Sequence, residues 1–268
     1  MTLRGIVKGS IPKLPYNAGI YYFIQTIRLK RQLMKRLEAK ETSLKTEKDS
    51  QRVYDAYDDR EQKEYANGSS ICLYKGRIAQ MANREIRGLY LKYLFRELDK
   101  LISEKGRVKV LEVGCGNCIN LVELKGRYGD QVQLYGIDIS KKRIDVAKSY
   151  YSKKLDGIDL SQQSITERCK WADGFFDVVF SMHCLEQIAY NLSLALKEMY
   201  RLSSKGLILI EPVFENGNVA QRLYLLNSDH TRILLRTLRD LGYKIDRDEV
   251  LDIQANPLNQ STLLVIRK

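Results

Sequence analysis

The residues best suited to bind a small polar ligand lie at one strand-to-turn junction, VKVLEVGCGNCINL at residues 108–121. The aliphatic residues before Gly114 predict a buried parallel strand. Gly114 and Gly116 then predict a turn at which the backbone, having no Cβ atoms, can approach a ligand closely. Glu112 is an acid within this apolar strand. An acid at this position complements a positively charged ligand group and would repel a phosphate.

A second acid, Asp138, ends the next predicted strand, twenty-four residues after Gly114. An acid there can accept hydrogen bonds from both hydroxyls of a ribose, so the two acids together predict a nucleoside cofactor. The dinucleotide fingerprint G-x-G-x-x-G would require glycine where this chain has Ile119, and it leaves Glu112 without a role. A methyl donor that carries a cationic amino group and a sulfonium accounts for both acids.

These residues need a sheet to position them, and the chain from residue 107 onward alternates predicted strands and helices. The strands are predicted at residues 108–113, 132–137, 157–160, 176–181, 206–211, 243–250 and 261–267, and the helices at 118–127, 141–154, 186–202 and 229–241. Such alternation predicts an α/β fold: a mostly parallel sheet with helices on both faces, in which ligands bind beyond the carboxyl ends of the strands. A short turn joins the last two strands, so the final strand is predicted to run antiparallel.

Four motifs, in the same order, resemble those of the class I S-adenosylmethionine-dependent methyltransferases, in particular the group called type 11. VLEVGCGN resembles the family's glycine-rich motif, YGIDIS its ribose-binding acid, GFFDVVFSMHCLEQI its fourth-strand motif, and LALKEMYRLSSKGLILIEP the helix and strand that follow. The resemblance covers about residues 105–268. It implies a Rossmann-like sheet of seven strands in the order 3-2-1-4-5-7-6, the seventh antiparallel, and S-adenosyl-L-methionine as the cofactor.

The resemblance also implies roles for individual residues. Glu112 would organise the amino group of the donor, Asp138 would hold the ribose, and Ile139 would pack on the adenine. The remaining residues expected to contact the donor are Gly114, Cys115 and Gly116 in the turn, Gln163 and Ser164 after the third strand, and Ser181 and Met182 after the fourth. The chain departs from the family pattern at Cys118, where a third glycine is usual, and in SQQSIT, which lacks the acid that often binds the adenine.

Three side chains are candidates for activating a methyl acceptor. His183 follows the fourth strand, Glu211 ends the fifth, and His230 is predicted to lie just inside a helix. Either histidine could act as a general base near neutral pH, and a capping or packing role stays open for each. Glu211 is expected to face the acceptor space, with a strand-end acid in solvent as the alternative.

The first 70 residues are predicted to form a basic, largely helical extension, and residues 71–268 the methyltransferase domain. Residues 1–52 hold twelve lysines and arginines against four acids, in a chain whose net charge is +12. Such a basic arm is typical of proteins with an anionic partner. The segment 1–18 is predicted to be irregular, 41–70 to be polar and to end in a linker, and 76–106 to form a long helix.

Within the extension, Ile20–Lys40 combines an apolar stripe with clustered basic residues. This pattern is typical of a helix that lies in the interface of an anionic membrane, which would be a peripheral contact. The alternative is a helix docked on its own domain, which is expected to bury Phe23 and Ile27.

The rest of the composition indicates a protein of the cytoplasm, with any membrane contact peripheral and at the inner face. No run of 18 or more apolar residues occurs, and the odd number of cysteines, five, suits reduced thiols. Cys115 and Cys118 form a C-x-x-C pair, but no second cysteine pair accompanies it. The sequence therefore predicts no metal site.

Three functions are compatible with these features. The first is methyl transfer from S-adenosylmethionine to a small-molecule or glycan- or lipid-linked acceptor, at oxygen, by a direct displacement that depends mainly on alignment of the reacting atoms. The second is an RNA methyltransferase that grips its substrate with the basic arm. The Asn/Asp-Pro-Pro-Tyr/Phe motif of many base-targeting relatives is missing from SMHCLE, so the RNA methyltransferase is the less favoured alternative. The third is a non-catalytic binding module that retains the fold.

Overall fold

The structure is a computed structural model, and it describes residues 18–38, 68–228 and 230–268. In chain order the helices are α1 (Ala18–Glu38), α2 (Asn83–Lys105), α3 (Ile119–Tyr128), α4 (Lys141–Tyr151), α5 (Leu192–Leu202), α6 (Val219–Asn227) and α7 (Leu234–Asp240). The strands are β1 (Ser69–Tyr74), β2 (Arg77–Ala82), β3 (Val108–Val113), β4 (Val132–Asp138), β5 (Asp159–Gln162), β6 (Phe176–Met182), β7 (Ser203–Glu211), β8 (Lys244–Val250), β9 (Ile253–Gln254) and β10 (Thr262–Arg267). Most of the predicted segments 1–18 and 41–70 lies outside the described residues.

Seven strands form the central sheet in the order β5-β4-β3-β6-β7-β10-β8. Strands β3 to β7 run parallel, and β10 pairs antiparallel with both β7 and β8. Counted from β3, this is the order 3-2-1-4-5-7-6, so the predicted fold class is confirmed. The connection between β8 and β10 is too short for a parallel crossover, which is why β10 reverses direction.

The two faces of the sheet carry separate apolar clusters, one under α2 and α3 and the other under α5 and α7. Strand β3 contributes to both because its side chains alternate between faces: Val108 and Val110 join the first cluster, and Leu111 and Val113 the second. The same alternation turns Glu112 toward the face of α2 and α3. The fold thus places this acid among side chains of those two helices.

The prediction of one long helix over residues 76–106 is wrong at its start, because Arg77–Ala82 forms strand β2 and the helix begins at Asn83. Tyr74 pairs with Arg77, so Lys75 and Gly76 form a two-residue loop, with φ angles of 48° and 75°. Two positive φ angles are typical of the tight hairpin turn that matches the twist of the strands. Strand β9 pairs with β1 and completes a small second sheet. Strand β1 also crosses the domain boundary predicted between residues 70 and 71, which stays a prediction.

Two predicted helices on the other side of the sheet begin later than expected. Helix α5 begins at Leu192, because Leu185–Gln187 forms a separate short turn. Helix α7 begins at Leu234, so His230 precedes this helix and does not lie inside it. Helix α6, which is capped by Asn218, is missing from the helices predicted above.

Helix α1 is docked on the domain through a narrow face. Its Leu29 is buried in a cluster with Ala220 of α6 and with Leu258. Two hydrogen bonds join α1 to the end of α6: Asn227 Nδ2 donates to the Leu29 carbonyl over 3.3 Å, and Arg36 Nη1 donates to the Asn227 carbonyl over 2.6 Å. The predicted helix is therefore present and anchored to its own chain.

The docked face of α1 differs from the one expected. Phe23 is 68% exposed and Ile27 40% exposed, so the docked helix does not bury these side chains. Ile20, Ile24 and Met34 are also exposed. At 100° per residue, these five apolar side chains occupy the side of the helix opposite Leu29. Helix α1 therefore has one apolar face against the domain and a second that points away from it.

Candidate functional site

A cavity of about 550 Å³ opens beyond the carboxyl ends of β3, β4 and β6, between these strands, α2 and the segment after β9. This volume is within the range of small-molecule sites. The predicted residues that line it are Glu112, Gly114, Cys115, Gly116, Asp138, Ile139, Gln163, Ser164, Met182 and His183. Three predicted site residues, Ser181, Glu211 and His230, are not among its lining residues.

The glycine-rich turn after β3 has no room for larger side chains. Gly114 and Gly116 have φ angles of 72° and 48°, which side chains rarely adopt. A Cβ atom on Gly114 would collide with Cys184 Sγ, and one on Gly116 would lie 2.7 Å from Arg143 Nη2. Cys118, at the position of the family's third glycine, has a φ of 57°. The turn therefore keeps a left-handed residue there even though it lacks the glycine.

Glu112 is buried in the wall of the cavity, and its carboxylate is only half satisfied. Asn120 Nδ2 donates to its Oε1 over 2.7 Å, whereas Oε2 has no hydrogen-bond partner. Burial raises the pKa of the Glu112 carboxyl to about 8, although the Asn120 bond and nearby Arg87 oppose this. A buried acceptor without a partner costs about 1–3 kcal/mol, so this oxygen is suited to a ligand donor or a bridging water. A cationic amino group would satisfy it.

Asp138 stands at the end of β4 and braces the turn. Its Oδ2 accepts from the Gly116 amide over 2.8 Å, and its Oδ1 accepts from the Ser140 amide over 2.9 Å. Each oxygen has a further lone pair for a ligand hydroxyl. Ile139 beside it is 38% exposed and lines the cavity, which suits stacking of a flat apolar ring.

Gln163 and Ser164 line the cavity after β5, but their side chains are also engaged locally. Gln163 Nε2 donates to Ser161 Oγ over 2.8 Å, and the Ser164 hydroxyl shares a 2.8 Å bond with Thr166. Ser181 is fully buried behind the cavity wall, so its expected contact with the donor is not supported by its position. Met182, one residue later, reaches the wall instead.

His183 and His230 share one carboxylate that the sequence analysis did not single out as catalytic. Glu186 Oε2 lies 3.5 Å from His183 Nδ1 and 3.7 Å from His230 Nδ1, and it accepts from Asn259 Nδ2 over 2.8 Å. Burial alone would raise the pKa of Glu186, but His183, His230 and Asn259 together lower it. Burial likewise opposes protonation of His183, but the bond and charge of Glu186 raise its pKa. The carboxylate thus favours the imidazolium form of His183.

The other nitrogen of His183 belongs to a chain of hydroxyl groups. His183 Nε2 lies 2.8 Å from Ser261 Oγ, which lies 2.8 Å from the Tyr90 hydroxyl. The Ala255 amide donates to the same Tyr90 hydroxyl over 2.8 Å, and Tyr90 lines the cavity. If Nδ1 carries the imidazole proton and faces Glu186 with it, Nε2 accepts a hydrogen bond from the Ser261 hydroxyl. The Tyr90 hydroxyl then donates to Ser261, so the hydrogen bonds run in one direction from the cavity to the imidazole.

The expectation that Glu211 faces the acceptor space is wrong. Its side chain is fully buried, and Oε1 accepts from the amides of Cys184 and Leu185 over 3.0 and 3.2 Å. Burial raises the pKa of this carboxyl to about 7. Glu211 thus braces the turn that follows β6 and carries His183, while Glu186 occupies the position beside the histidines.

Four residues of the site are not among the predicted ones, and only one of them has a signal in the local sequence. Glu186 follows His183 by three residues, and that spacing was a usable signal. Tyr90, Ser261 and Asn259 come from distant segments, and no local spacing relates them to His183. Among the described residues, no group of three or more His, Cys, Asp or Glu side chains could hold a metal ion. The Sγ atoms of Cys115 and Cys118 lie 3.9 Å apart.

Comparison with known sequences identifies the same region. The profile of a family described as a methyltransferase domain matches residues 111–210. The ubiquinone biosynthesis O-methyltransferase of Nitrosococcus oceani is 34% identical over 85 residues, which are 32% of this chain and 35% of that protein. The match thus spans about a third of the length of this curated relative.

Solved structures share the fold. The N-methyltransferase NodS of Bradyrhizobium japonicum, in complex with S-adenosyl-L-homocysteine, has a TM-score of 0.57 and 12% identity, over 82% of this chain and 98% of that one. The magnesium protoporphyrin IX methyltransferase of Synechocystis, with bound S-adenosylhomocysteine, has a TM-score of 0.51 and 19% identity, over 69% and 86% of the two chains. At these identities the likeness establishes the fold alone.

The matched residues 111–210 include the glycine turn, both acids and His183. The strand order of the sheet and the position of the cavity beyond its carboxyl edge agree with that match. Residues 111–210 of the chain therefore match a methyltransferase domain, and the sheet around them has the fold that these solved methyltransferases share.

Proposed function

We propose that the protein binds S-adenosyl-L-methionine and transfers its methyl group to an oxygen of a small-molecule or glycan- or lipid-linked acceptor. The observation that carries this proposal is the pair of acids on either side of the glycine turn. Glu112 presents a buried oxygen without a partner, and Asp138 has lone pairs left for hydroxyl groups. A ligand that combines a cationic amino group with ribose hydroxyls can donate hydrogen bonds to both acids.

Different residues around the turn would hold different parts of this donor. Glu112 would hold the amino group, directly or through water, and Asp138 the ribose hydroxyls. Ile139 offers an apolar surface to the adenine, while Gln163 and Ser164 stand where polar contacts with its edge would form. When bound, S-adenosylmethionine supplies a methyl group activated by attachment to a sulfonium. Gly114 and Gly116 have no Cβ atoms, so the backbone of the turn can lie close to such a ligand.

The acceptor is proposed to meet the wall formed by His183, Glu186 and the segment after β9. An oxygen nucleophile must lose a proton as the new bond to carbon forms. That proton can pass from the acceptor hydroxyl to Tyr90, from Tyr90 to Ser261, and from Ser261 to His183 Nε2, each group giving up its own proton in turn. Glu186 stabilises the resulting imidazolium. His230 stays behind Glu186 and supports its charge, so its earlier role as an alternative base is not favoured.

Methylation at oxygen rests on this proton path and on the sequence relative. A base held by a carboxylate is needed for a hydroxyl acceptor and is dispensable for a nucleophile that already has a free lone pair. The Nitrosococcus relative is named as an O-methyltransferase of ubiquinone biosynthesis, and it matches here over 85 residues. We therefore propose a hydroxyl-bearing acceptor and leave its carbon skeleton to experiment.

Substitution of Asp138 tests the donor site. Asp138→Ala removes charge-assisted hydrogen bonds, each worth roughly 1.5–3 kcal/mol, so affinity for S-adenosylhomocysteine should fall tenfold or more. Calorimetric titration measures this directly. Asp145→Ala, an exposed acid on α4, is the control and should leave the affinity unchanged. Unchanged binding in Asp138→Ala, or binding of NAD in place of S-adenosylhomocysteine, would overturn the proposal.

We also propose that α1 attaches the protein peripherally to an anionic membrane surface, at the cytoplasmic face. On the outward side of α1, the exposed stripe has Lys30 on one flank and Arg31 and Lys35 on the other. Apolar side chains can enter the lipid while each flanking cation contributes on the order of 1 kcal/mol at an anionic surface. RNA offers no apolar phase for the stripe, so lipid is the favoured partner. Among the described helices, none is long and apolar enough to cross a bilayer.

Sedimentation with vesicles tests the membrane proposal. The protein should sediment with phosphatidylglycerol vesicles, less at high salt, and little with phosphatidylcholine. The double substitution Phe23→Ser, Ile27→Ser should abolish sedimentation without disturbing the docked face. Leu194→Ser, which removes an exposed apolar side chain from α5, is the control. Equal sedimentation of the double variant and the parent would refute the role of the stripe.

A further inference from the structure

The segment from Ala255 to Asn259 is a short wall of the cavity with an inner and an outer side. Ala255, Asn256 and Asn259 line the cavity. The segment is closed on itself, because the Asn259 amide donates to the Asn256 carbonyl over 2.9 Å and the Leu258 amide to Asn256 Oδ1 over 3.0 Å. Its tip, Pro257 and Leu258, points the other way.

The outer side of this wall is held by α1 and α6 together. The Pro257 carbonyl accepts two hydrogen bonds of 2.9 Å, one from the Tyr22 hydroxyl and one from Gln221 Nε2. Gln221 Nε2 also lies 3.1 Å from the Tyr22 hydroxyl, so the three groups form a closed triangle. Beside it, Leu258 packs against Leu29 of α1. Tyr22 is thus tied to a backbone atom more than two hundred residues later in the chain.

The inner side of the same wall reaches the groups proposed to handle the proton. Asn259 Nδ2 donates to Glu186 Oε2 inside the protein, and the Ala255 amide donates to the Tyr90 hydroxyl. A displacement of Pro257 would therefore alter the hydrogen bonds of Glu186 and Tyr90. The segment is an irregular connection between the short strand β9 and β10.

We propose that Tyr22 is a positioning residue: it fixes the Ala255–Asn259 wall from outside and thereby places Asn259 against Glu186 and Ala255 against Tyr90. Helix α1 is then part of the architecture of the acceptor site as well as a peripheral element. The inference rests on the proposed function only in naming this wall as the acceptor side. The hydrogen bonds from Tyr22 to Pro257 and from Asn259 to Glu186 do not depend on that function.

Hydrogen exchange and imidazole spectra test this placement without an identified acceptor. In Tyr22→Ala, exchange of the Ala255, Leu258 and Asn259 amides should be about fivefold faster, the size expected for one lost hydrogen bond. The two histidines of the chain give two imidazole signals, and both should shift, because Asn259 no longer stands firmly against Glu186. A residue that only stabilises α1 would leave those signals in place. Phe23→Ala, the exposed neighbour, is the matched control and should change neither reading.

Two further measurements keep the outcomes separate. Tyr22→Phe retains the ring and loses only the hydroxyl, so it carries the test if Tyr22→Ala does not fold, with a smaller increase in exchange at the same amides. S-adenosylhomocysteine affinity should stay within about twofold of the parent, because the donor half of the cavity lies elsewhere. Failure of the parent protein to bind this ligand would remove the proposed function and leave the positioning intact. Faster exchange in α1 alone, with the wall amides and both imidazoles unchanged, would overturn the inference.

Discussion

His183 owes its chemistry to where each of its two ring nitrogens points. Nδ1 faces Glu186, and Nε2 faces Ser261. Its backbone has a φ of 54°, a strained value for a residue with a side chain, and such strain persists only where surrounding contacts enforce it. Glu211 supplies part of that enforcement by accepting the amide of Cys184, the next residue. One histidine is thus held by two buried carboxylates with different tasks.

Glu186→Gln is predicted to lower the pKa of His183. In the parent protein the Glu186 carboxylate stabilises the imidazolium of His183. Without this negative charge the ring loses its proton at lower pH. Once an acceptor is identified, turnover should rise with pH through the pKa of His183, which in the parent is raised above its ordinary value, and through a lower pKa in Glu186→Gln. His183→Ala should reduce turnover by about a hundredfold. NMR titration of the two imidazoles checks the shift. An unaltered titration would contradict the role given to Glu186.

At the scale of elements, helix α2 is fastened to the edge strand β8 by a charged cluster centred on Glu97. This carboxylate is 4% exposed and lies within 2.7–3.3 Å of the cationic groups of Arg96, Lys100 and Arg247. Burial alone would raise its pKa, but the neighbouring cations lower it. Its cations are partly exposed and remain solvated if the acid is removed. The acid is therefore the costly member of the cluster to lose.

Glu97→Gln is predicted to reduce the free energy of unfolding by about 2 kcal/mol, below the usual 3–5 for a buried pair because the cations keep their solvent. Asp145→Asn removes an exposed ion pair with Lys141 on α4 and should cost under about 0.5 kcal/mol. Denaturant titration of the two variants measures both values. Equal costs would show that the burial of Glu97 has no energetic consequence.

The sequence predicts elements well where their pattern is local. The central sheet follows from apolar runs and turn residues, and the placement of an acid on each side of the glycine turn follows from the spacing between Gly114 and Asp138. The β1–β2 hairpin was missed because Ile78 and Met81 also fit helical spacing, and only the positive φ of Lys75 and Gly76 distinguishes the turn. The path from Tyr90 through Ser261 to His183 depends on chain crossings that no local pattern encodes.

At the scale of the whole molecule, the ligand-free protein is predicted to lose stability as pH rises from about 5 to 8. Glu112 and Glu211 change from an ordinary pKa of 4.5 to about 8 and about 7 on folding. Each folded carboxyl binds a proton that the unfolded chain has released, so its stabilising contribution is complete below 4.5 and disappears above the folded value. The raised pKa of His183 acts in the same direction.

Thermal unfolding across this pH range checks the prediction. The melting temperature should fall by roughly 5–10 °C between pH 5 and 8. The double substitution Glu112→Gln, Glu211→Gln should flatten that dependence, because neither amide titrates. Saturating S-adenosylhomocysteine should flatten part of it as well if its amino group binds Glu112. A flat profile in the parent protein would contradict the burial of these two acids.

The position of β10 has a consequence for biosynthesis. This strand lies between β7 and β8, and its residues Thr262 to Ile266 are buried, although they are made long after β7. Until residues 262–267 leave the ribosome, two strand edges stay unpaired and open to pairing with other chains. Leu258 and Pro257, which hold α1, emerge only shortly before. Helix α1 is made well before these residues, so it is among the last of the described helices to find its place, and during synthesis both of its apolar faces are available to a chaperone or a membrane.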